Sequence, residues 1–265
     1  MIKLGIIAGS GLLPITVAKS YRKAGGDVVI AGLENYATQE DFVSYECQIF
    51  NLGKVGAILK FFKSHDISNL VIVGHIKRPD FAALSLDLKG TLLLAKIMAA
   101  KLLGDDALLK LVANFIESEG FTINSPMKYM NSPSIETKIQ PRKIDIENIE
   151  YAKKIALELG KFDIGQSVIV ENGYILGVEA AEGTDALIER CGIIRKSNKS
   201  SILVKISKPR QDERLDIPTI GVETIINASK ANMAGMAIEK GRVIVLEPDK
   251  VKETADNLGL FVSLI

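Results

Sequence analysis

The opening residues restrict the fold more than any other part of the chain. Ile2 to Ala8 is a short apolar run that stops at Gly9-Ser10-Gly11, and Leu12 to Ala24 then carries apolar residues at helical spacing. Strand, glycine turn and helix in that order open a parallel α/β unit, and the turn is able to bring backbone N–H groups to a phosphate. Pro14 stands where the third glycine of G-x-G-x-x-G belongs, a position in the first helical turn that proline tolerates. A second strand, Val28 to Leu33, follows Gly25-Gly26, and Glu34 lies near the place where a dinucleotide-binding fold keeps its ribose acid. The alternative is a tight turn that merely joins strand to helix.

Further along, Val55 to Ser64 reads as a helix and Leu70 to Val73 as a buried strand running into Gly74-His75-Ile76-Lys77-Arg78-Pro79. Loops at the carboxyl ends of parallel strands line the ligand crevice, so His75 and Arg78 sit where binding is expected, Arg78 as an anion contact, with a hydrogen-bonded structural residue as the alternative for His75. Leu92 to Leu103 and Ala107 to Glu119 form two helices around Gly104-Asp105-Asp106, with Asp105 as an N-cap. Phe121 to Ile123 reads as a strand. Asn124 to Arg142, with three prolines and no periodicity, reads as an interdomain linker.

In the second half Tyr151 to Leu159 is helical. Ser167 to Glu171 and Tyr174 to Ala180 alternate around Asn172-Gly173, a strong hairpin signal. Helices are expected from Ala186, at Ile220 to Asn232 and at Asp249 to Leu258. Strands are expected at Met236 to Ile238, Val243 to Leu246 and Leu260 to Ile265. The second half reads as α+β or mixed α/β with hairpins, and the fold class as α/β in two domains. An N-terminal α/β domain with a parallel sheet is expected over 1–128, a linker over 129–144 and a C-terminal domain over 145–265.

Between the apolar run Ile202-Leu203-Val204 and the helix after Thr219 lies KISKPRQDERLDIPTIG, from Lys205 to Gly221. Lys205, Lys208, Arg210 and Arg214 alternate with Asp212, Glu213 and Asp216, and Pro209 and Pro218 deny the loop regular ladder bonds. Such charges are buried only with partners, which are each other, a metal or a charged ligand. The alternative is a solvated connection with neutralising neighbours. The cations suit phosphate oxygens and the carboxylates suit a hard cation such as Mg²⁺.

The chain carries a formal net charge of +1 and no Trp, which argues against nucleic acid as a partner. Cys47 and Cys191 form no C-x-x-C, so neither a disulfide framework nor a zinc site is expected, and a reducing cytoplasm fits. The opening segment is broken by Gly9, Gly11 and Pro14 and has no long apolar core, unlike a signal peptide. Nor does any stretch of about eighteen apolar residues run without charge, so a membrane span is not expected.

Taken together, GIIAGSGLLP, GHIKRPDF, GDDALL, the DIGQ beginning at Asp163, EGTD, KPRQDERLDIPTIG and DNLGLFV resemble the LpxI family along the whole chain and in the same order. That family's opening is closer to AGGG, from which Ser10 departs. The resemblance implies a Rossmann-like domain joined by a linker to a family-specific C-terminal domain, with the substrate held between them. It implies Mg²⁺-dependent hydrolysis of UDP-2,3-diacylglucosamine to UMP and 2,3-diacylglucosamine 1-phosphate (lipid X), a step of lipid A biosynthesis, by attack of water on the sugar-side phosphorus. Asp216 matches the aspartate essential in the family. The expected roles are then Asp216 as catalytic group and metal ligand, with Glu182 or Asp185 completing the metal shell, and Lys208 and Arg210 neutralising the phosphates. Gly9, Gly11, Leu12, His75, Arg78, Gln166, Thr184 and Lys205 are the expected substrate contacts. The apolar helix at Leu92 to Leu103 is a candidate lining for the acyl chains, with plain core helix as the alternative.

The resemblance also implies a homodimer, and the lipid substrate implies peripheral contact with the cytoplasmic face of the inner membrane. Two rival readings are a nicotinamide-dependent oxidoreductase using Gly9-Ser10-Gly11 and Glu34, and a non-catalytic UDP-sugar-binding protein. Against a familiar hydrolase site, the chain has only two His, and neither D-x-H nor G-N-H-[DE] occurs.

Overall fold

The computed structural model describes residues 3–77, 79–100, 105–130, 135–196, 200–209 and 211–265. The chain forms two compact units, Met1–Asn131 with Asp212–Asp216, and Ser132–Gln211 with Ile217–Ile265.

The first unit contains β1 (Leu4–Ala8), α1 (Leu13–Lys23), β2 (Val28–Leu33), β3 (Glu46–Phe50), α2 (Val55–Ser64), β4 (Asn69–Val73), α3 (Leu88–Ala99), α4 (Asp105–Ser118) and β5 (Thr122–Ile123). Its five strands are all parallel in the order β3-β2-β1-β4-β5, with Ala8 opposite Gly32 on one side and Val73 on the other. Every residue of β1 and β2 is buried, as a central parallel sheet covered on both faces requires. Side chains alternate between the faces. Ile7, Val29, Ala31 and Leu70 join Phe62 of α2 and Ile116 of α4, whereas Leu4, Ile6, Ile30 and Val71 join Val17 and Ala18 of α1.

Strand β3 was not expected from the sequence. It is an edge strand with Glu46 and Gln48 exposed, so it lacks the apolar run that marks its neighbours. Helix α3 starts at Leu88, four positions before the expected Leu92, because Asp87 caps it by accepting from Gly90 N at 2.8 Å. The same carboxylate also accepts from Ala57 N of α2 at 3.0 Å. Burial alone would raise the Asp87 pKa, but the bonds from the Gly90, Gly56 and Ala57 amides outweigh it and hold the carboxyl below its ordinary value.

The second unit contains α5 (Lys143–Lys161), β6 (Ser167–Glu171), β7 (Tyr174–Val178), α6 (Thr184–Ile194), β8 (Ser201–Lys205), β9 (Thr219–Ile220), α7 (Val222–Lys230), β10 (Gly235–Ile238), β11 (Ile244–Val245), α8 (Pro248–Leu258) and β12 (Phe261–Leu264). Its main sheet has the order β12-β10-β8-β6-β7. Strands β8, β10 and β12 are parallel, and the β6–β7 hairpin runs antiparallel on β8. Asn172 and Gly173 both have positive φ, the backbone that a two-residue hairpin turn demands. The expected strand at Val243 to Leu246 reduces to β11, which pairs with β9 outside the main sheet. Helix α5 begins eight residues before the expected Tyr151. Its first turns place Ile144 and Ile146 outside and Asp145 and Asn148 inside, so no regular apolar face marks the start, and Arg142 N donates to Asp145 Oδ2 at 2.8 Å to close the N-terminus.

Gly90 allows α3 to lie against the backbone of the β3–α2 loop: a Cβ there would fall 2.1 Å from the carbonyl oxygen of Gly53. Because backbone cannot yield as a side-chain tip does, Gly90→Ala is expected to destabilise the protein by about 1–3 kcal/mol, read as a lower midpoint in urea unfolding.

Candidate active site

The first unit presents its functional loops where the strand order reverses, between β1 and β4. Gly9 N donates to Val73 O at 2.8 Å, and Ser10 and His75 exchange backbone bonds of 3.0 and 2.9 Å as a single antiparallel bridge. Ser10 Oγ adds a bond to His75 O at 2.9 Å, so the side chain as well as the backbone of Ser10 is tied into this bridge. Gly9 and Gly74 meet backbone to backbone: a Cβ on Gly74 would sit 2.6 Å from Gly9 C, and one on Gly9 2.8 Å from His75 O. Gly11, at φ +93, has open space where its Cβ would be. Leu12 precedes α1 without a side-chain cap, leaving the helix amides available to an anion. Glu34, expected near a ribose, accepts from Asn51 Nδ2 at 3.0 Å. Arg78 lies outside the described residues.

Asp212 to Asp216 belongs to this same unit. Arg214 holds the segment. Its Nε and Nη2 donate to the two oxygens of Asp212 at 3.0 and 2.8 Å, and its Nη1 donates to Glu117 Oε1 of α4 at 2.8 Å. Leu215 packs into the core that α2 and α4 share with the sheet. Leu215 N and Asp216 N both donate to Asp212 O, at 2.9 and 3.1 Å. The hydrogen bonds from Arg214 hold the Asp212 carboxyl below its ordinary value of 3.8, and those same bonds raise the Arg214 guanidinium. Part of the charge in the Lys205–Gly221 loop is therefore internal structure that fixes the backbone of Asp216.

Asp216, His75 and Lys77 line a cavity of about 370 Å³ inside the first unit. Its other walls are apolar, from Ile58 and Leu59 of α2, Leu93, Leu94 and Ile97 of α3, and Val112 of α4, among others. The inner side of α3 thus faces a cavity, whereas Leu88, Leu92 and Met98 are exposed.

In the second unit the expected residues Thr184 and Lys205 come together. Lys205, 5% exposed, donates from Nζ to Thr184 Oγ1 at 2.8 Å and to Thr219 O at 3.0 Å. The Thr184 hydroxyl in turn donates to Glu179 Oε1 at 2.7 Å. Glu179 is buried, and its second oxygen, like Gln166 Oε1, has no hydrogen-bond partner among the described residues. Lys208 is ion-paired with Asp163, and its N–H donates to Gln211 Oε1 at 3.0 Å. Arg210 lies outside the described residues.

The carboxylates expected around a metal have local partners of their own. Glu182 accepts from Arg190 Nη2 at 2.9 Å and from Ala180 N at 3.1 Å. Backbone and Arg190 hydrogen bonds lower its pKa. Asp185 accepts from Asn227 Nδ2 at 3.2 Å. Among the described residues no group of three or more His, Cys, Asp or Glu converges on one point. An all-protein cage of the kind Ca²⁺ takes is not formed, but Mg²⁺ needs only one or two carboxylates when substrate phosphates and water complete its shell, and a single aspartate such as Asp216 fits that demand.

Residues 3–132 match the LpxI N-terminal domain and residues 132–263 match the LpxI C-terminal domain. The chain belongs to the LpxI family. A relative from Caulobacter vibrioides, named UDP-2,3-diacylglucosamine pyrophosphatase LpxI, is 36% identical over 272 residues, covering 99% of this chain and 97% of the relative. Among solved structures, CobK precorrin-6A reductase aligns over 100% of this chain and 88% of its own at 10% identity and a TM-score of 0.31. N5-carboxyaminoimidazole ribonucleotide synthetase from Thermotoga maritima covers 69% of this chain and 42% of its own at 14% identity and a TM-score of 0.23. Neither likeness carries weight for this family member.

Two participants escaped the sequence reading. Glu179 looks in sequence like one more acid after a strand, and only the fold sets it against Thr184. Glu117 stands 97 positions from Arg214, with no local pattern to connect them.

Because the Asp212 pKa is depressed on folding, its stabilising contribution is complete above the ordinary value of 3.8 and is lost as pH falls through the lower folded value. Arg214→Ala is therefore expected to be less stable than wild type near neutral pH, with the difference shrinking as pH falls below 3.8. Urea titrations of both proteins across that range check the sign.

Proposed function

We propose that this protein hydrolyses the pyrophosphate of UDP-2,3-diacylglucosamine, releasing UMP and 2,3-diacylglucosamine 1-phosphate for lipid A biosynthesis. The observation that carries the reading is the apolar cavity of the first unit with Asp216 in its wall. It combines a lining suited to hydrocarbon with a carboxylate suited to hydrolysis, in a chain whose relative bears that name. Each methylene moved from water into such a lining contributes about 0.8 kcal/mol, so acyl chains supply ample binding energy.

Water attacks the sugar-side phosphorus, a new P–O bond forms, and the bridging oxygen departs with UMP. Asp216 orients that water and accepts its proton, from a backbone that Arg214 and Asp212 hold in place. Lys208 and Arg210 neutralise the phosphates, and Lys205, steadied by Thr184, adds a third cation. The open backbone at Gly11 and the amides after Leu12 receive a substrate phosphate or the uridine end, with His75, Arg78 and Gln166 as further proposed contacts. Gly9, expected as a direct contact, is buried with its N–H bonded to Val73 O, so its part is to let the two loops meet. Mg²⁺, when bound, screens the anionic phosphates and polarises the bond that breaks. Asp216 is its proposed protein ligand. Asp185 or Glu182 joins it only if Asn227 or Arg190 gives way. On this reading the enzyme works as a homodimer in contact with the cytoplasmic face of the inner membrane.

The first experiment is hydrolysis of UDP-2,3-diacylglucosamine with Mg²⁺ and with chelator, comparing wild type with Asp216→Asn. The variant is expected to lose about a hundredfold or more in kcat while folding normally, and near-normal turnover would remove Asp216 from the mechanism. Ile97→Trp, which fills the cavity, is expected to raise KM about tenfold for a long-chain substrate and to leave a short-chain analogue almost unaffected.

A further inference from the structure

Helix α3 reads LKGTLLLAKIMA and contains no carboxylate. Its inner side is accounted for by buried Gly90 and Leu93 and by Leu94 and Ile97 in the cavity wall. Its outer side is apolar as well. Leu88, Leu92 and Met98 are 78%, 52% and 65% exposed. Thr91, Ala95 and Ala99 share the exposed face, where positions 88, 92, 95 and 99 follow helical spacing. A helix on the outside of a water-soluble domain ordinarily shows charge to solvent, and an apolar face of this extent marks a surface that is covered in use.

The exposure is not a frayed end. Asp87 caps the helix and ties it to α2, and the contact of Gly90 with the Gly53 carbonyl presses it onto the domain. The charges that accompany this face are cationic. Lys96 is exposed on the helix with its ammonium over the Phe115 ring, and exposed Lys77 lines the cavity that α3 walls. Lys89 reaches back to Glu119, leaving the leucine stripe uncharged. No helix among the described residues is long and apolar enough to cross a membrane. Leucine and methionine on the outer face with lysine alongside is the composition of a helix that lies in the headgroup region of an anionic bilayer.

We propose that the outer face of α3 docks the protein onto an anionic lipid surface, so that one helix touches the bilayer with Leu88, Leu92 and Met98 and walls the acyl cavity with Leu93, Leu94 and Ile97. This rests on the lipid-hydrolase reading, since hydrocarbon chains that leave a bilayer and enter the cavity across α3 need never cross water. A second copy of the chain is the rival occupant.

The test is co-sedimentation of the full chain with vesicles of phosphatidylethanolamine and phosphatidylglycerol, beside vesicles of phosphatidylcholine alone. The variants are Leu88→Ser with Leu92→Ser, and separately Lys96→Glu. Wild type is expected to sediment with the anionic vesicles. The double variant is expected to bind them about tenfold or more weakly, and Lys96→Glu to lose preference for anionic over neutral lipid. Neither double-variant position is among those lining the cavity. Turnover of a short-chain, water-soluble substrate analogue is therefore expected to stay within about twofold of wild type, and an unchanged thermal midpoint excludes misfolding. Unaltered vesicle binding by the double variant overturns the proposal. So does a change from dimer to monomer without loss of vesicle binding, which assigns the face to a second copy. Vesicle binding that depends on this face in a protein without pyrophosphatase activity would leave the docking surface standing and overturn the hydrolase reading instead.

Discussion

The approach of Gly9 to Gly74 is the constraint on which the first unit's site depends. The ends of β1 and β4 come so near that a methyl group on either glycine would overlap backbone of the other loop. With that space empty, Ser10 and His75 pair as one extra rung beyond the sheet. The rung carries two loops out of the sheet side by side at the reversal of strand order, and it directs His75 and the residues after it toward the cavity. Substituting either glycine would not merely loosen a turn. It would separate the two loops.

A second constraint acts on the catalytic candidate. Isolated ion pairs on a surface contribute about 0–1 kcal/mol, too little to fix a loop. Arg214 does more because its fork engages both oxygens of Asp212 while its remaining nitrogen reaches Glu117 of a packed helix. Planar geometry leaves the guanidinium little freedom once two partners are in place. Leu215 adds an apolar anchor next to Asp216. The position of Asp216 is thus set by Arg214, Asp212, Glu117 and Leu215, and a change at Arg214 reaches it through the backbone.

Helix α3 shows what this arrangement asks of the fold. A cavity lined by hydrocarbon forgoes the packing that a filled core would have, and an apolar outer face forgoes solvation by charge. At its first turn the helix is held by Asp87, which also bonds to α2, and by Gly90, which lies against the Gly53 carbonyl.

Local chemistry determined much by itself. The apolar run before Gly9-Ser10-Gly11, the Asn172-Gly173 hairpin and the two-part α/β plan follow from periodicity and turn residues acting over a few positions. Family membership followed from motifs in order along the whole chain. Edge strand β3 and the start of α5 were hidden, because β3 is half exposed and α5 opens with Ile144 and Ile146 outside and Asp145 and Asn148 inside, so neither shows a regular apolar period. Which charges in Lys205–Gly221 serve structure was hidden too: Arg214 finds Asp212 two residues away but Glu117 at 97. The link from Lys205 through Thr184 to Glu179, and the cavity that joins α2, α3 and α4 to Asp216, exist only once distant segments are folded together. Sequence spacing encodes the period of an element and the residues able to do chemistry, whereas the distances between those residues are set by packing.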